Sequence, residues 1–264
     1  MINVDAPIGV FDSGVGGLSV LKKLGQSFPG QSWIYLGDTA RLPYGTKSGP
    51  TIKAYTEENL TFLSQFKCRA FIIACNSAST QFPEDSFNGI PVFKVIRPGA
   101  ILAAKTTRIN KIGIIGTKAT INSHVYEHEL GLLGFKGKTF TQACPLFVPL
   151  VEDGLFDGPI TRLTIEHYLK SMKHEKIDTL ILGCTHYPLL APALKSFFGD
   201  SVTLVSSEPE LISSLLKSGN VDSSSKKPGS ITVYTTDRVE FVSELAKSIL
   251  SENSQEIEFK NLGQ

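Results

Sequence analysis

The chain has 264 residues, which is enough to bury a substantial core and to form either one large domain or two smaller ones. Its 26 basic and 25 acidic residues leave a formal net charge of +1. The chain therefore lacks the basic excess typical of proteins that bind nucleic acids or anionic membranes in general. Its four cysteines are too few for a disulfide framework and include no C-x-x-C pair, so we expect reduced thiols.

The N-terminal residues contain neither a basic segment nor a long apolar core. The longest apolar runs fall far short of the ~20 residues that a membrane-spanning helix needs. We therefore expect a cytoplasmic protein with no membrane partner.

Short apolar segments rich in β-branched residues alternate with helix-length segments along the chain. Strands are predicted over residues 8–11, 33–36, 70–75, 92–96, 111–115, 179–182, 202–205 and 230–235. Helices are predicted over residues 18–25, 51–66, 121–133, 159–173 and 238–250. This alternation is typical of α/β folds with mainly parallel sheets, in which loops at the carboxyl ends of the strands build the functional site.

Two pairs of segments repeat at nearly equal spacing. Residues 8–14 (IGVFDSG) resemble residues 112–118 (IGIIGTK), and residues 71–77 (FIIACNS) resemble residues 180–186 (LILGCTH). We therefore expect two similar, doubly wound, mainly parallel α/β domains related by a pseudo-two-fold axis, with the active site in the cleft between them. The first domain is predicted to comprise residues 1–98 and 208–264, and the second residues 99–207.

Cys75 and Cys184 each follow a predicted strand and precede small polar residues. Such positions favour thiols that exchange protons, although a single cysteine is more commonly a buried structural residue. Cys68 and Cys144 lack polar neighbours of this kind, and we interpret them as structural. His186 is a candidate proton relay for Cys184, with a packing role or a metal-ligand pair as alternatives.

Other polar residues lie where strands or turns end. Asp12 and Ser13 could project into a site or cap the following helix. The glycines after them do not fit the dinucleotide-binding fingerprint, because a serine stands where the third glycine belongs. The turn around Tyr44 and Gly45 could present backbone amides to a carboxylate. Glu152 could supply a carboxylate base, although an acidic residue at a helix boundary is common.

Two thiols in matched halves suit a reaction that needs one acid/base on each face of a single carbon, which is the inversion of a stereocentre. A thiol has an ordinary pKa near ~8.5, so one can act as thiolate while the other is protonated. The α-proton of an amino acid is weakly acidic, so the site must also bind the carboxylates and exclude water. Suitable hydroxyl and amide groups belong to Ser13, Gly45, Asn76, Ser77 and Thr185.

Five motifs together resemble those of the glutamate racemases, within the cofactor-independent aspartate/glutamate racemase superfamily. They are DSGVGG at 12–17, PYGTK at 43–47, ACNSAS at 74–79, GTKAT at 116–120 and LGCTHYP at 182–188. They follow the order found in that family. The resemblance implies two α/β domains with the substrate between them and a C-terminal segment that returns to the first domain.

The resemblance also implies a role for each site residue. Cys75 and Cys184 would be the two acid/bases, acting on the D-glutamate and L-glutamate faces respectively. Asp12 would assist Cys75, whereas His186, with Glu152 as a further candidate, would assist Cys184. The implied substrate-binding residues are Asp12, Ser13, Tyr44, Gly45, Asn76, Ser77, Thr185 and His186, with Thr117 and Thr120 as further contacts to a carboxylate.

The activity implied by the resemblance is that of an isomerase that interconverts L- and D-glutamate without a cofactor or a metal. Its product would serve peptidoglycan synthesis, and therefore cell-wall biogenesis and cell shape. We expect glutamate as the small-molecule partner, a homodimer, and no nucleic-acid partner. Two positions depart from the family: Ser77 replaces the usual threonine and so loses a methyl that restrains its rotamer, and Arg97 replaces an acidic or apolar residue. A salt bridge at the domain junction is the simplest explanation for Arg97.

Two other hypotheses remain open from the sequence. One is a relative that acts on aspartate or another carboxylate, and the other is a two-domain amino-acid-binding protein without catalysis. The two cysteines argue against single-thiol decarboxylase relatives, and the lack of a nearby resolving cysteine argues against a thiol redox enzyme. A substrate panel and an α-proton exchange assay separate these hypotheses.

Overall fold

A computed structural model describes residues 6–221 and 227–262 of the chain. The strands are β1 (Ile8–Asp12), β2 (Trp33–Gly37), β3 (Ala70–Ile73), β4 (Ser86–Phe87), β5 (Ile90–Lys94), β6 (Lys111–Gly116), β7 (Lys138–Ala143), β8 (Thr179–Gly183), β9 (Thr203–Val205), β10 (Ser230–Thr235) and β11 (Glu256–Asn261). The helices are α1 (Gly17–Ser27), α2 (Gly49–Ser64), α3 (Asn76–Gln81), α4 (Ile96–Thr106), α5 (Lys118–Asn122), α6 (Val125–Leu132), α7 (Phe147–Glu152), α8 (Pro159–His174), α9 (Ala191–Phe198), α10 (Glu208–Ser218) and α11 (Val239–Leu250). Across these two ranges, no helix has both the length and the apolar character that a membrane crossing needs.

The described chain forms two compact units, one containing Met1–Val95 and Leu211–Gln264 and the other Ile96–Glu210. The first unit has a seven-stranded sheet in the order β11-β10-β2-β1-β3-β5-β4, in which only the β4–β5 pair is antiparallel. The second unit has a four-stranded parallel sheet in the order β7-β6-β8-β9. The predicted α/β class with mainly parallel sheets is therefore confirmed.

The internal repeat corresponds to a repeated strand order. In the first unit, the order β2-β1-β3-β5 places β1, the first strand of the unit, between its second and third strands. In the second unit, the order β7-β6-β8-β9 likewise places β6 between β7 and β8. The matching segments found in the sequence contain β1 with β6 and β3 with β8. The expected domain borders at 98/99 and 207/208, the pseudo-two-fold axis and the interdomain cleft stay predictions.

The eight predicted strands are present, with ends shifted by a few residues, but three further strands escape the sequence pattern. These are β4, β7 and β11, which all lie at sheet edges. An edge strand keeps part of its surface in solvent, and β7 and β11 accordingly contain no buried residue. They therefore lack the continuous apolar run that identifies the central strands.

The single helix predicted over residues 121–133 is wrong. The structure instead has α5 and α6, separated by a break at His124, whose backbone is left-handed with φ of 53°. A left-handed residue cannot continue an α-helix, so the chain changes direction there. The apolar spacing across the break is compatible with one helix and does not reveal it.

Central strands are buried on both faces, as parallel sheets covered by helices require. All residues of β1, β2 and β8 are buried. In the first unit, Leu18, Leu21 and Leu24 on one side of α1 belong to a buried cluster that also contains Val242 and Leu250 of α11. The C-terminal strand–helix segment is thus part of the core of the first unit.

Replacing Leu21 with alanine tests this core. Leu21 is completely buried, so Leu21→Ala should reduce the free energy of unfolding by about 2–5 kcal/mol through lost burial and a residual cavity. Urea unfolding followed by circular dichroism measures the change. Leu216→Ala in the same unit is the matched control, because Leu216 is 47% exposed and should change stability by only about 0.5 kcal/mol. Equal losses at the two positions would contradict the described packing.

Candidate active site

In the first unit, the pairing of β1 with β3 brings polar residues together at the carboxyl ends of both strands. Phe11 lies beside Ile73 in the register, and the backbone N–H of Ala74 donates to the carbonyl of Phe11 at 2.8 Å. The residues that follow are Ser13 on one side and Cys75 on the other. The Cys75 thiol lies 3.5 Å from Ser13 Oγ, within hydrogen-bonding range for sulfur, and both side chains are buried.

Asp12 ends β1 with a fully buried carboxylate. Its Oδ1 accepts a hydrogen bond of 2.9 Å from the backbone N–H of Gly14. A Cβ atom at Gly17 would lie 2.5 Å from Cβ of Asp12, so only glycine allows α1 to begin this close to the carboxylate. The Tyr35 hydroxyl donates to the carbonyl of Gly14 at 2.8 Å and supports the same loop. Close packing against Asp12 thus explains the last glycine of the glycine-rich motif, whereas a Cβ atom at Gly14 would lie 2.9 Å from Cδ1 of Leu42.

Asn76 and Ser77 form the first turn of α3, immediately after Cys75. Both side chains are buried. The structure therefore groups Asp12, Ser13, Cys75 and these two residues at one edge of the first sheet, as expected from the sequence.

Tyr44 and Gly45 lie in a buried 3₁₀ turn, Tyr44–Thr46, that packs against α3. The Tyr44 hydroxyl donates to Oδ2 of Asp38 and accepts a 2.9 Å bond from Nδ2 of Asn59. Burial, reinforced by the neighbouring Asp38 carboxylate, raises the pKa of Tyr44 well above its ordinary value. The phenol is therefore a permanent donor to Asp38, and a substrate contact from Tyr44 would have to come from its backbone.

Asp38 is a site-adjacent residue that sequence reasoning missed. It follows β2 directly and is fully buried. Besides Tyr44, its Oδ2 accepts from Nε of Arg41 at 2.6 Å and from Nδ2 of Asn59 at 3.3 Å. The only sequence signal is an aspartate at the carboxyl end of a predicted strand, the same position that drew attention to Asp12.

In the second unit, a carboxylate, an imidazole and a thiol form a connected group. Cys184 follows β8, and its Sγ lies 3.9 Å from Nδ1 of His186. On the other side of the ring, Nε2 of His186 lies 2.7 Å from Oε1 of Glu152, the last residue of α7. A carboxylate accepts a hydrogen bond, so Nε2 carries the proton and Nδ1 faces the thiol. All three side chains are buried, and the arrangement can pass a proton to or from Cys184.

Thr117, Thr120 and Thr185 lie at the same edge of the second sheet as Cys184. Gly116 pairs with Gly183, so the residues that follow β6 and β8 emerge side by side. Thr117 caps α5 by accepting a 3.2 Å bond from the backbone N–H of Thr120, and the two hydroxyl oxygens are 3.1 Å apart. Thr185 follows Cys184 directly and is buried.

The other two cysteines have the environment of structural residues. Burial raises the pKa of the Cys68 thiol to about 12, and this thiol donates to the carbonyl of Leu63. Burial also raises the pKa of Cys144, with a smaller electrostatic contribution from the neighbouring Cys184. Both thiols therefore stay protonated near neutral pH. None of the four cysteines, all within the described residues, is joined in a disulfide.

Arg97 forms a salt bridge, as expected, and both partners belong to the second unit. The expected place of this salt bridge at the domain junction stays a prediction. The Nη1 atom of Arg97 lies 2.8 Å from Oε2 of Glu129, and this pair joins α4 to α6 within the second unit. The Arg97 side chain is 55% exposed, so the pair is screened by solvent and contributes little to stability. Among residues 6–221 and 227–262, no three histidine, cysteine or acidic side chains cluster as metal ligands would.

Comparisons with known proteins agree on one family. The family model described as Asp/Glu/Hydantoin racemase matches residues 8–213. The chain is 42% identical over 247 residues to the glutamate racemase of Aquifex aeolicus, which covers 93% of this chain and 94% of that protein.

Solved structures give the same result. The glutamate racemase isoform RacE1 of Bacillus anthracis superimposes with a TM-score of 0.90 at 35% identity, covering 98% of this chain and 99% of that one. The glutamate racemase of Francisella tularensis in complex with D-glutamate superimposes with a TM-score of 0.85 at 33% identity, covering 98% of each chain.

The burial of Cys68 predicts a change of stability with pH. Below the ordinary thiol pKa near 9, Cys68 is protonated in both the folded and the unfolded chain. As the pH rises from about 9 toward about 12, only the unfolded chain loses the proton, so the free energy of unfolding should fall by up to about 1.4 kcal/mol per pH unit. Urea unfolding at several pH values, compared with Cys68→Ser, measures this contribution. If the free energy of unfolding falls equally steeply with pH in Cys68→Ser and in the unmodified protein, the Cys68 thiol is accessible to solvent in the folded chain.

Proposed function

Because the chain belongs to the glutamate racemases of the Asp/Glu/hydantoin racemase family, we propose that it interconverts L-glutamate and D-glutamate. One structural observation carries the proposal: each unit ends a central strand in a buried thiol with a polar partner, Ser13 for Cys75 and His186 for Cys184. The sequence identity of 42% to a glutamate racemase, over 93% of this chain, supports glutamate as the substrate.

The proposed reaction uses the two cysteines as opposing acid/bases at Cα. With L-glutamate bound, the Cys184 thiolate takes the α-proton, and the Cys75 thiol gives its proton to the opposite face. The product is D-glutamate, and the enzyme is left with a Cys184 thiol and a Cys75 thiolate. One proton must then return to Cys75 and one must leave Cys184 before the next turnover in the same direction.

Two assisting groups would move these protons. His186 is supported in this role by its position between Cys184 Sγ and the Glu152 carboxylate. Glu152 would fix the ring orientation and stabilise the imidazolium form. Asp12 would assist Cys75 from the end of the neighbouring strand, where its carboxylate is fully buried. Buried carboxylates act strongly on neighbouring protons because little water screens them.

Binding of the substrate carboxylates would hold Cα between the thiols and make its proton easier to remove. The proposed binding groups are hydroxyls, side-chain amides and backbone N–H groups at the carboxyl edges of the sheets. They belong to Asp12, Ser13, Tyr44, Gly45, Asn76, Ser77, Thr117, Thr120, Thr185 and His186. Such groups bind an anion without a basic side chain, in keeping with the near-zero net charge.

The cellular setting follows from the same resemblance. We propose that the protein works in the cytoplasm as a homodimer, without a cofactor, and supplies D-glutamate for peptidoglycan. Reduced thiols are required for the two-cysteine reaction, which supports a reducing compartment.

Serine variants of the two thiols test the mechanism and the assignment of faces. Cys75→Ser and Cys184→Ser should each lower racemisation by about 10³-fold, because a serine hydroxyl is a far weaker acid/base than a thiol. In D₂O, Cys75→Ser should still exchange the α-proton of L-glutamate but not of D-glutamate. Cys184→Ser should show the opposite preference. Proton NMR of the Cα position measures both effects.

Cys68→Ser is the matched control and should racemise like the unmodified protein, since Cys68 is buried away from the polar groups of the site. If all three serine variants racemise glutamate normally, the two-thiol mechanism is wrong. Binding of glutamate without α-proton exchange in the unmodified protein would favour a binding protein. Activity on aspartate but not on glutamate would show that the protein acts on a different substrate of the same superfamily.

Replacing His186 tests the proton relay. His186→Asn should lower kcat/KM for both enantiomers equally by about 10²-fold, because the equilibrium constant between enantiomers is one and general acid–base assistance is lost. His124→Asn is the matched control: His124 also pairs with a glutamate, Glu127, at 3.0 Å, but its side chain is 75% exposed. Polarimetry in both directions gives the rates. If His186→Asn and His124→Asn racemise glutamate at similar rates, His186 has no role in the mechanism.

A further inference from the structure

Thr236, in the C-terminal part of the chain, contacts the segment that leaves β2. It follows β10 directly, and its backbone N–H donates to the carbonyl of Gly37 at 3.2 Å. Its hydroxyl accepts from the backbone N–H of Ala40 at 3.0 Å and donates to Oδ1 of Asp38 at 3.2 Å. One residue therefore contacts the polypeptide on both sides of Asp38 and the Asp38 carboxylate itself.

A second set of bonds reinforces the same junction. The hydroxyl oxygens of Thr39 and Thr235 are 2.8 Å apart, and both residues are buried. The backbone N–H of Asp237 donates to Thr39 Oγ1 at 2.9 Å. The exit of β2 is thus held by consecutive residues 235–237, which makes its position dependent on the C-terminal segment.

The Asp38 carboxylate carries this contact onward to the turn at Tyr44. Its Oδ1 accepts a hydrogen bond from the Thr236 hydroxyl, whereas its Oδ2 accepts hydrogen bonds from the Tyr44 hydroxyl and from Nδ2 of Asn59. Asn59 Nδ2 also donates to the Tyr44 oxygen at 2.9 Å, so the phenol is held from two directions. Asp38 and Tyr44 are both essentially inaccessible to solvent, and buried hydrogen bonds of this kind fix one geometry.

The phenol belongs to a turn whose backbone has its own contacts. The backbone N–H of Lys47 donates to the carbonyl of Tyr44 at 2.9 Å, and the turn packs against α3, which begins just after Cys75. Gly45 lies inside this turn and is buried. The Tyr44 ring and the Gly45 N–H therefore belong to one short turn that is closed by a backbone hydrogen bond.

We propose that Thr236 is a positioning residue for the Tyr44–Gly45 turn of the substrate site and acts through Asp38. The inference rests on the proposed function, in which the Gly45 amide binds a substrate carboxylate. The C-terminal segment thereby sets the affinity for substrate, while the rates of proton transfer at the two thiols do not depend on it. A residue that acts on binding of ground state and transition state alike changes KM and leaves kcat nearly constant.

Three threonine substitutions test the proposal. Thr236→Val keeps the shape of the side chain but removes the hydroxyl, and should raise KM for glutamate by about 10-fold, the loss typical of one hydrogen bond to a charged group, with kcat changed less than about 2-fold. Thr236→Ser restores the hydroxyl and should bring KM back within about 2-fold. Thr232→Val, the same change at a half-buried position within β10, should leave both constants unchanged.

A double-mutant cycle tests the route through Tyr44. Tyr44→Phe removes the phenol that Asp38 holds, and adding Thr236→Val to it should raise KM by less than about 2-fold further, because both changes break the same chain of contacts. Hydrogen–deuterium exchange provides a readout that needs no activity. In Thr236→Val the Lys47 amide should exchange at least about 10-fold faster than in the unmodified protein, and in Thr232→Val it should not.

The outcomes separate this inference from the proposed function. If the unmodified protein racemises glutamate and Thr236→Val has a normal KM, or if Thr236→Ser is as impaired as Thr236→Val, the positioning role is overturned. A fall in kcat at constant KM would also overturn it. If the unmodified protein does not racemise glutamate, the proposed function fails, and unchanged exchange at Lys47 in Thr236→Val would independently refute the positioning role.

Discussion

Parallel strand pairing is the constraint on which both halves of the candidate site depend. Because β1 and β3 run side by side in the same direction, the residues after them, Ser13 and Cys75, must emerge at one edge of the sheet. The pairing of β6 with β8 does the same for Thr117 and Cys184. The central strands are buried, so these side chains enter a low-dielectric environment, where a thiol, a carboxylate and an imidazole influence one another strongly.

The surroundings of each buried polar group indicate whether it has a partner for proton exchange or is held in fixed hydrogen bonds. Cys184 has the His186 ring beside it, whereas Cys68 has only a backbone carbonyl, and burial raises the pKa of Cys68 to about 12. Tyr44 likewise has its hydroxyl fully engaged by Asp38 and Asn59 and contributes a fixed backbone. The candidate site thus combines a few groups proposed to carry protons with a larger set of buried hydrogen bonds around them.

Sequence patterns predicted the central strands, the repeat and the principal polar residues, because buried strands leave continuous apolar runs and a repeated thiol is conspicuous. They missed β7 and β11 because edge strands stay partly in solvent, and they missed the helix break at His124 because a left-handed backbone leaves no mark in hydrophobic spacing. Asp38 escaped for a different reason. Its partner Thr236 lies 198 positions away along the chain, and such a contact is set by the order β10-β2-β1, which no local pattern specifies.

The proposed reaction requires two separate monoprotic groups that act at Cα. The most direct measurement is a single turnover of L-glutamate carrying deuterium at Cα, with enzyme in excess in ordinary water, followed by mass spectrometry of the D-glutamate formed. The two-thiol reaction predicts that the deuterium stays on the first thiol and is lost to solvent, so the D-glutamate contains hydrogen at Cα. Substantial deuterium in the D-glutamate would mean that one group removes and returns the same proton, and would contradict the account.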